Sequence, residues 1–182
     1  MIRLFVSIDP PRDIRSYIKY LGRGIPGARL TPEEQLHLTL HFLGEVEGTM
    51  FKDIREALLN VKKDPFLLQV RGVGHFPPRG NPKVIWAGVS STEDLIRLQK
   101  AIGKELHACG VELEKGKFSP HITLARLHNS PLQRVIEFLA GNSFLTSPSF
   151  TVDSFHLYSS QLGRNGAHHI LEESYPLGDT IL

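Results

Sequence analysis

The 182-residue chain predicts an α+β fold, on three observations. Short strand patterns and amphipathic helical patterns are mixed along it, without the regular strand–helix alternation of a wound parallel sheet. One tetrad occurs twice, as His37-Leu38-Thr39-Leu40 and His121-Ile122-Thr123-Leu124, 84 residues apart (121 − 37). Each half then runs through a similar succession: a strand or helix, the tetrad strand, a helix and a strand pair.

Each element has its own signal. Arg3 to Ile8 reads as a strand closed by Asp9 and Pro10-Pro11. Pro11-Arg12-Asp13 opens a helix to about Leu21, with Ile14, Tyr17, Ile18 and Leu21 on one face, before Gly22, Gly24, Pro26 and Gly27 break it. Leu36 to Leu43 is the first tetrad strand, ended by Gly44, and Gly48 to Val61 is helical by the spacing of Ile54, Leu58 and Val61. Phe66 to Val70 is a strand. The Gly/Pro-rich connection Gly72 to Pro82 is a candidate functional loop leading into the strand Val84 to Val89. Thr92 caps a helix to Ala108 whose apolar stripe is Leu95, Leu98, Ile102 and Leu106. The second tetrad strand is His121 to Leu127, and Pro131 to Leu139 is helical. Phe150 to Tyr158 and His168 to Tyr175 form a closing strand pair joined across Gly163-Arg164-Asn165-Gly166.

Composition narrows the function classes. Lys and Arg number 21 against 19 Asp and Glu, a formal net charge of +2, far from the strongly basic surface of a protein that coats long nucleic acids. Any polyanion contact is therefore local. The single cysteine, Cys109, rules out an intramolecular disulfide framework, suits a reducing cytosol and reads as a buried structural thiol. The first strand is too short for a signal-peptide core, and no apolar run approaches the roughly 18–20 residues of a membrane span, so a soluble, cytoplasmic protein is expected.

The chemistry lies in the tetrads. On a strand, residues i and i+2 share a face, so His37 with Thr39 and His121 with Thr123 point one way while Leu38, Leu40, Ile122 and Leu124 enter the core. Two imidazoles facing across a groove serve as general base and general acid, and two hydroxyls hold the oxygens of an anion. Such a set performs phosphodiester chemistry without a metal or other cofactor. One His-x-Thr occurs in any half-buried strand; two in matching apolar patterns point to one joint site.

Other patterns carry less. His41 shares the parity of His37 and Thr39, and on a helix His37 and His41 would be a metal-ligand pair. On a strand they stand roughly 13 Å apart at ~3.3 Å per residue, and His75, His107, His128, His156, His168 and His169 show no ligand spacing. Gly110 to Lys117 resembles a phosphate loop but has one residue too many between its glycines and Phe118 where Ser or Thr belongs. Lys115 and Lys117 precede the second tetrad, as phosphate-steering cations or as a solvated loop. Parity puts Arg126 on the face opposite His121 and Thr123, with twist at the strand end as the one route that would bring its long side chain round. Trp86, Phe76 and Tyr158 are candidates for stacking on a base, with core packing the favoured role for Trp86.

Four segments together carry a likeness: Arg3-Leu4-Phe5-Val6-Ser7-Ile8-Asp9; Leu36 through Gly44; Phe118-Ser119-Pro120-His121-Ile122-Thr123-Leu124-Ala125-Arg126; and Tyr158-Ser159-Ser160-Gln161-Leu162 through Tyr175-Pro176-Leu177. In these the chain resembles the 2H phosphoesterase superfamily, most closely its RNA 2′,3′-cyclic phosphodiesterase branch, also known as 2′-5′ RNA ligases. The resemblance implies a bilobal α+β fold over residues 1–182, with two pseudo-symmetric, intertwined lobes whose antiparallel sheets flank a central groove. It also implies His37 as proton donor, His121 as proton acceptor, Thr39 and Thr123 on the phosphate, and a monomer acting on RNA ends or nucleotides with a 2′,3′-cyclic phosphate. Hydrolysis would leave a 2′-phosphate, and the same site run backwards would join 2′-5′ ends weakly. The chain departs from many relatives at His41, where a basic residue is usual, and near Leu30, where an aromatic is. The alternative function is an RNA-end or nucleotide-binding module that keeps the groove without turnover, and a third is a metal-dependent phosphoesterase.

Overall fold

The computed structural model describes residues 1–90, 92–164 and 166–178. In chain order the elements are β1 (Ile2–Ile8), α1 (Arg12–Ile18), β2 (Ala28–Leu30), β3 (Leu38–Val46), α2 (Gly48–Leu58), β4 (Phe66–Leu68), β5 (Val70–Phe76), β6 (Val84–Val89), α3 (Glu93–Ala108), β7 (His121–Leu127), α4 (Leu132–Gly141), β8 (Phe150–Val152), β9 (Ser154–Gly163) and β10 (Gly166–Pro176). The main sheet runs β10-β9-β1-β3-β7-β6-β5, with β2 also on β7, and every pairing is antiparallel. β4 and β8 pair separately. This is the expected α+β class.

Among the described residues β3 and β7 meet through one ladder pair, Leu38 with Ile122. The sheet therefore consists of two antiparallel halves, β10-β9-β1-β3 and β2-β7-β6-β5, hinged at that pair. β1 lies inside its half, which is why Leu4 through Ile8 are buried without alternation. Helices cover the other face. The His41 ring reaches the Gln99 carbonyl of α3, the Tyr175 hydroxyl donates to the Arg55 carbonyl of α2, and Arg134 of α4 donates to the Gly24 carbonyl after α1.

Several boundaries differ from the sequence reading. The first helix stops at Ile18, Leu21 lies in the turn beyond it, and Tyr17 is exposed, its hydroxyl on the Thr146 carbonyl. The first tetrad strand passes through Gly44 instead of ending there: Gly44 takes φ +72°, and the ladder with β1 skips a residue at a bulge, so β3 continues to Val46. Val61 is buried but follows α2. Gly72 to Phe76 belongs to β5, because Val73 to Phe76 pair with β6, which leaves only 77–83 as loop. Phe150–Val152 pairs with β4, not with the closing hairpin. That hairpin forms as β9 and β10, although Asn165 of its turn lies outside the described residues. The α3 reading holds in detail: the Thr92 hydroxyl accepts from Leu95 N at 3.2 Å, and Leu95, Leu98, Ile102 and Leu106 are buried. No helix of the described residues is long and apolar enough to cross a membrane.

Candidate active site

Leu38 and Ile122 point into the core, so the antiparallel pair turns the flanking residues the other way. His37 lies across from Thr123, and Thr39 across from His121, all four half-buried. The two tetrads thus meet on one face of the sheet, as their sequence repeat required. Each imidazole is held alike: His37 Nδ1 donates to the Gln35 carbonyl at 2.7 Å and His121 Nδ1 to the Ser119 carbonyl at 2.8 Å. A carbonyl only accepts, so Nδ1 carries the proton and Nε2 is the nitrogen that this bond leaves available.

Both tetrads also carry a bulge at their fourth residue. The β1–β3 ladder passes from Ser7 opposite Thr39 to Val6 opposite His41, skipping Leu40, and the β6–β7 ladder passes from Trp86 opposite Thr123 to Ile85 opposite Ala125, skipping Leu124. Strict alternation ends there. His41 consequently faces α3, its Nε2 donating to the Gln99 carbonyl at 2.8 Å and its ring against Gly103, where burial lowers its pKa. It does not continue the tetrad face, and the His37–His41 pairing disappears with that. Phe42 takes the site face instead, its ring 6.3 Å from Phe5. By the same shift Arg126 sits on the face of His121 and Thr123, opposite Val84 on one neighbour and Arg29 on the other. The parity reading of Arg126 is reversed.

Aromatic rings wall both histidines. Phe5 stacks on His37 at 4.9 Å and 23°, and Tyr158 stacks on the far side of Phe5 at 5.4 Å and 11°. His169 of β10 lies edge-on to both, 5.4 Å from His37 and 4.9 Å from Phe5. The Tyr158 hydroxyl donates to Asp9, which also accepts from Ser7 at 3.2 Å and lies 3.9 Å from His156 Nε2. Burial, and next the like charge of His169, push the His37 pKa down to about 4. Burial and then the Asp9 hydrogen bond raise that of Tyr158.

On the other half Phe76 meets His121 edge-on at 4.8 Å and 79°, and Trp86 lies 6.1 Å away. Trp86 is not a core residue. It is half-buried beside His121 and packs over Gly74, where a Cβ would come within 2.2 Å of the indole, and its buried Nε1 has no hydrogen-bond partner among the described residues. Only glycine fits beneath that ring.

Lys115 and Lys117 are exposed in the irregular stretch 111–120. Cys109 is half-buried, its thiol donating to the Leu106 carbonyl at 3.2 Å. Among the described residues no three His, Cys, Asp or Glu side chains are grouped to hold a metal ion. Phe5, Asp9 and His169 were missed from sequence. Phe5 was hidden in an unbroken apolar run, and for His169 the available signal was an aromatic, titratable pair, His168-His169, in the closing strand.

The profile of the 2′-5′ RNA ligase superfamily matches residues 10–164, a span that includes both tetrads. The chain belongs to the 2′-5′ RNA ligase superfamily. Among its relatives, the RNA 2′,3′-cyclic phosphodiesterase of Archaeoglobus fulgidus is 34% identical over 148 residues, 79% of this chain and 84% of that one. The Thermotoga maritima protein of the same name is 34% identical over 174 residues, 91% and 90% of the two chains. The apo crystal structure of E. coli LigT superposes with a TM-score of 0.79 at 25% identity, covering 98% of each chain. Strand β10, with His169, lies beyond the part of the chain matched to the 2′-5′ RNA ligase superfamily.

Proposed function

We propose that this protein is an RNA 2′,3′-cyclic phosphodiesterase that leaves a 2′-phosphate, with His121 as base, His37 as acid, and Thr39 and Thr123 as donors to the phosphate oxygens. The observation that carries the reading is the matched pair of imidazoles. Each has Nδ1 tied to the carbonyl two residues earlier, which leaves Nε2 available, and each lies across the strand pair from the other tetrad's threonine. The names of the A. fulgidus and T. maritima relatives support the substrate class.

In this mechanism His121 Nε2 takes a proton from water as the water oxygen bonds to phosphorus. The bond from phosphorus to the 3′ oxygen breaks, and His37 Nε2–H gives that oxygen its proton. The two hydroxyls stabilise charge gathering on the non-bridging oxygens. His37 must then be protonated at the moment of reaction, although burial holds its pKa at about 4 in the free protein. An anionic phosphate beside the ring favours its charged form, so substrate and proton enter together. With a 5′-hydroxyl as the attacking group in place of water, the same steps in the same direction form a 2′-5′ linkage: the 5′ oxygen bonds to phosphorus, the bond to the 3′ oxygen breaks, and His37 protonates that oxygen.

The test is incubation with a nucleoside 2′,3′-cyclic phosphate, with the product isomer read by phosphorus NMR. A 2′-phosphate is expected. A 3′-phosphate would break the other bond and require a different acid, and binding without turnover would leave a nucleotide-binding module.

A further inference from the structure

We propose that His169 is a positioning residue for His37: from β10 its ring lies edge-on to both His37 and Phe5 and holds the His37 ring stacked on Phe5. The proposal rests on the reading of His37 as proton donor. Its basis is a closed ring triangle. Phe5 and His37 are 4.9 Å apart, Phe5 and His169 4.9 Å, and His37 and His169 5.4 Å, each ring touching the other two. β10 is the edge of its half-sheet, and β9 separates it from β1. The His169 side chain therefore leans across the sheet to reach Phe5, an orientation that solvent exposure on β10 would not by itself produce.

The groups around His37 come from every neighbouring element. Gln35 supplies the carbonyl that fixes Nδ1, and Asp9 after β1 favours the charged ring. His121 of β7 and His169 of β10 oppose it, and Tyr158 of β9 stands behind Phe5 with its hydroxyl on Asp9. His169 is itself flanked by His168, with Asp9 as its nearby carboxylate, and burial disfavours its own charged form. Of the cations that could form here, His169 acts on His37 more strongly than His121 does.

Two imidazoles this close do not both take a proton readily, so protons enter the pair in two steps. An anion in the groove offsets the repulsion. Burial is the larger cause and His169 adds to it, so His37 gains its proton when an anion arrives beside the ring.

The test is NMR titration of the histidine ring protons in the whole protein. The variants are His169→Phe, which keeps an aromatic edge, and His169→Gln, with the His37 signal assigned by its loss in His37→Gln. The His37 pKa is expected to rise by about one unit in both His169 variants, as it does when a like charge within about 4–6 Å is removed. The lower limb of the kcat/KM profile should move the same way. An unchanged His37 titration in the Phe variant would overturn the proposal, since packing alone would then explain the contact. If the Phe variant does not fold, the Gln variant decides, and an unchanged His37 titration there overturns the proposal. Failure of the catalytic reading would show separately, as turnover surviving in His37→Gln.

Discussion

Leu38 pairs with Ile122, and this pair is the one ladder contact that joins the two half-sheets among the described residues. Each residue lies between the histidine and threonine of its own tetrad, so packing at the hinge and geometry at the site are the same event. Leu38→Ala should cost about 2–5 kcal/mol of stability, the usual range for a buried leucine. It should lower kcat/KM even where the variant remains fully folded, because His37 and Thr39 shift together. Urea unfolding with kinetics on the same sample checks this, and full activity in a destabilised variant would separate hinge from site.

His37→Ala and His121→Ala should each lower turnover by about 10²–10⁴, the span of one proton transfer, while leaving the fold intact. The double variant should be little worse than either single one, because the two rings act as a unit. Substantial activity in either purified variant would remove the two-histidine mechanism.

Thr39→Val and Thr123→Val keep strand-compatible shape and remove one hydroxyl each. A hydrogen bond to a charged group is worth roughly 1.5–3 kcal/mol, so each should cost about 10–150-fold in kcat with little change in stability. Wild-type kinetics in the double variant would take both residues out of the site.

Stability should depend on pH through His37. Its folded pKa of about 4 lies below the ordinary 6.5, so the unfolded chain binds the proton more tightly. The contribution is complete above about 6.5 and is lost as pH falls through about 4, because stability rises with pH wherever the unfolded state holds more protons. Urea midpoints measured between these limits should fall less steeply with acidification in His37→Gln than in the wild type. Parallel curves would mean that the ring is not desolvated. Turnover itself should be bell-shaped in pH, with apparent constants belonging to the His37–His121 pair, and unchanged by a chelator. Activity lost to the chelator and restored by zinc or manganese would point to a metal hydrolase.

Trp86 is the chain's one tryptophan, so its emission reports the His121 wall directly. In Gly74→Ala the added Cβ would meet the indole at 2.2 Å and must displace it. A red-shifted emission and a raised KM are the expected result. An unchanged spectrum with unchanged kinetics would show that the wall does not depend on Gly74.

The sequence by itself determined the mixed α+β class, the two tetrads as a matched pair, and the faces of His37, Thr39, His121 and Thr123. It could do so because alternation along a strand is local: Leu38 and Ile122 go inward, and their neighbours go outward. The Thr92 cap and the stripe on α3 were legible for the same reason. Only the tertiary structure decided the course of each tetrad strand beyond its threonine. A bulge belongs to a pair of strands, not to one, so the skips at Leu40 and Leu124 depend on Val6 and Ser7, and on Ile85 and Trp86, residues remote in the chain. Those skips send His41 to α3 and bring Phe42 and Arg126 to the site face. The companions of His37 were likewise decided by strand order, since Phe5 and His169 are 164 residues apart (169 − 5) and meet only because β9 carries β10 alongside β1.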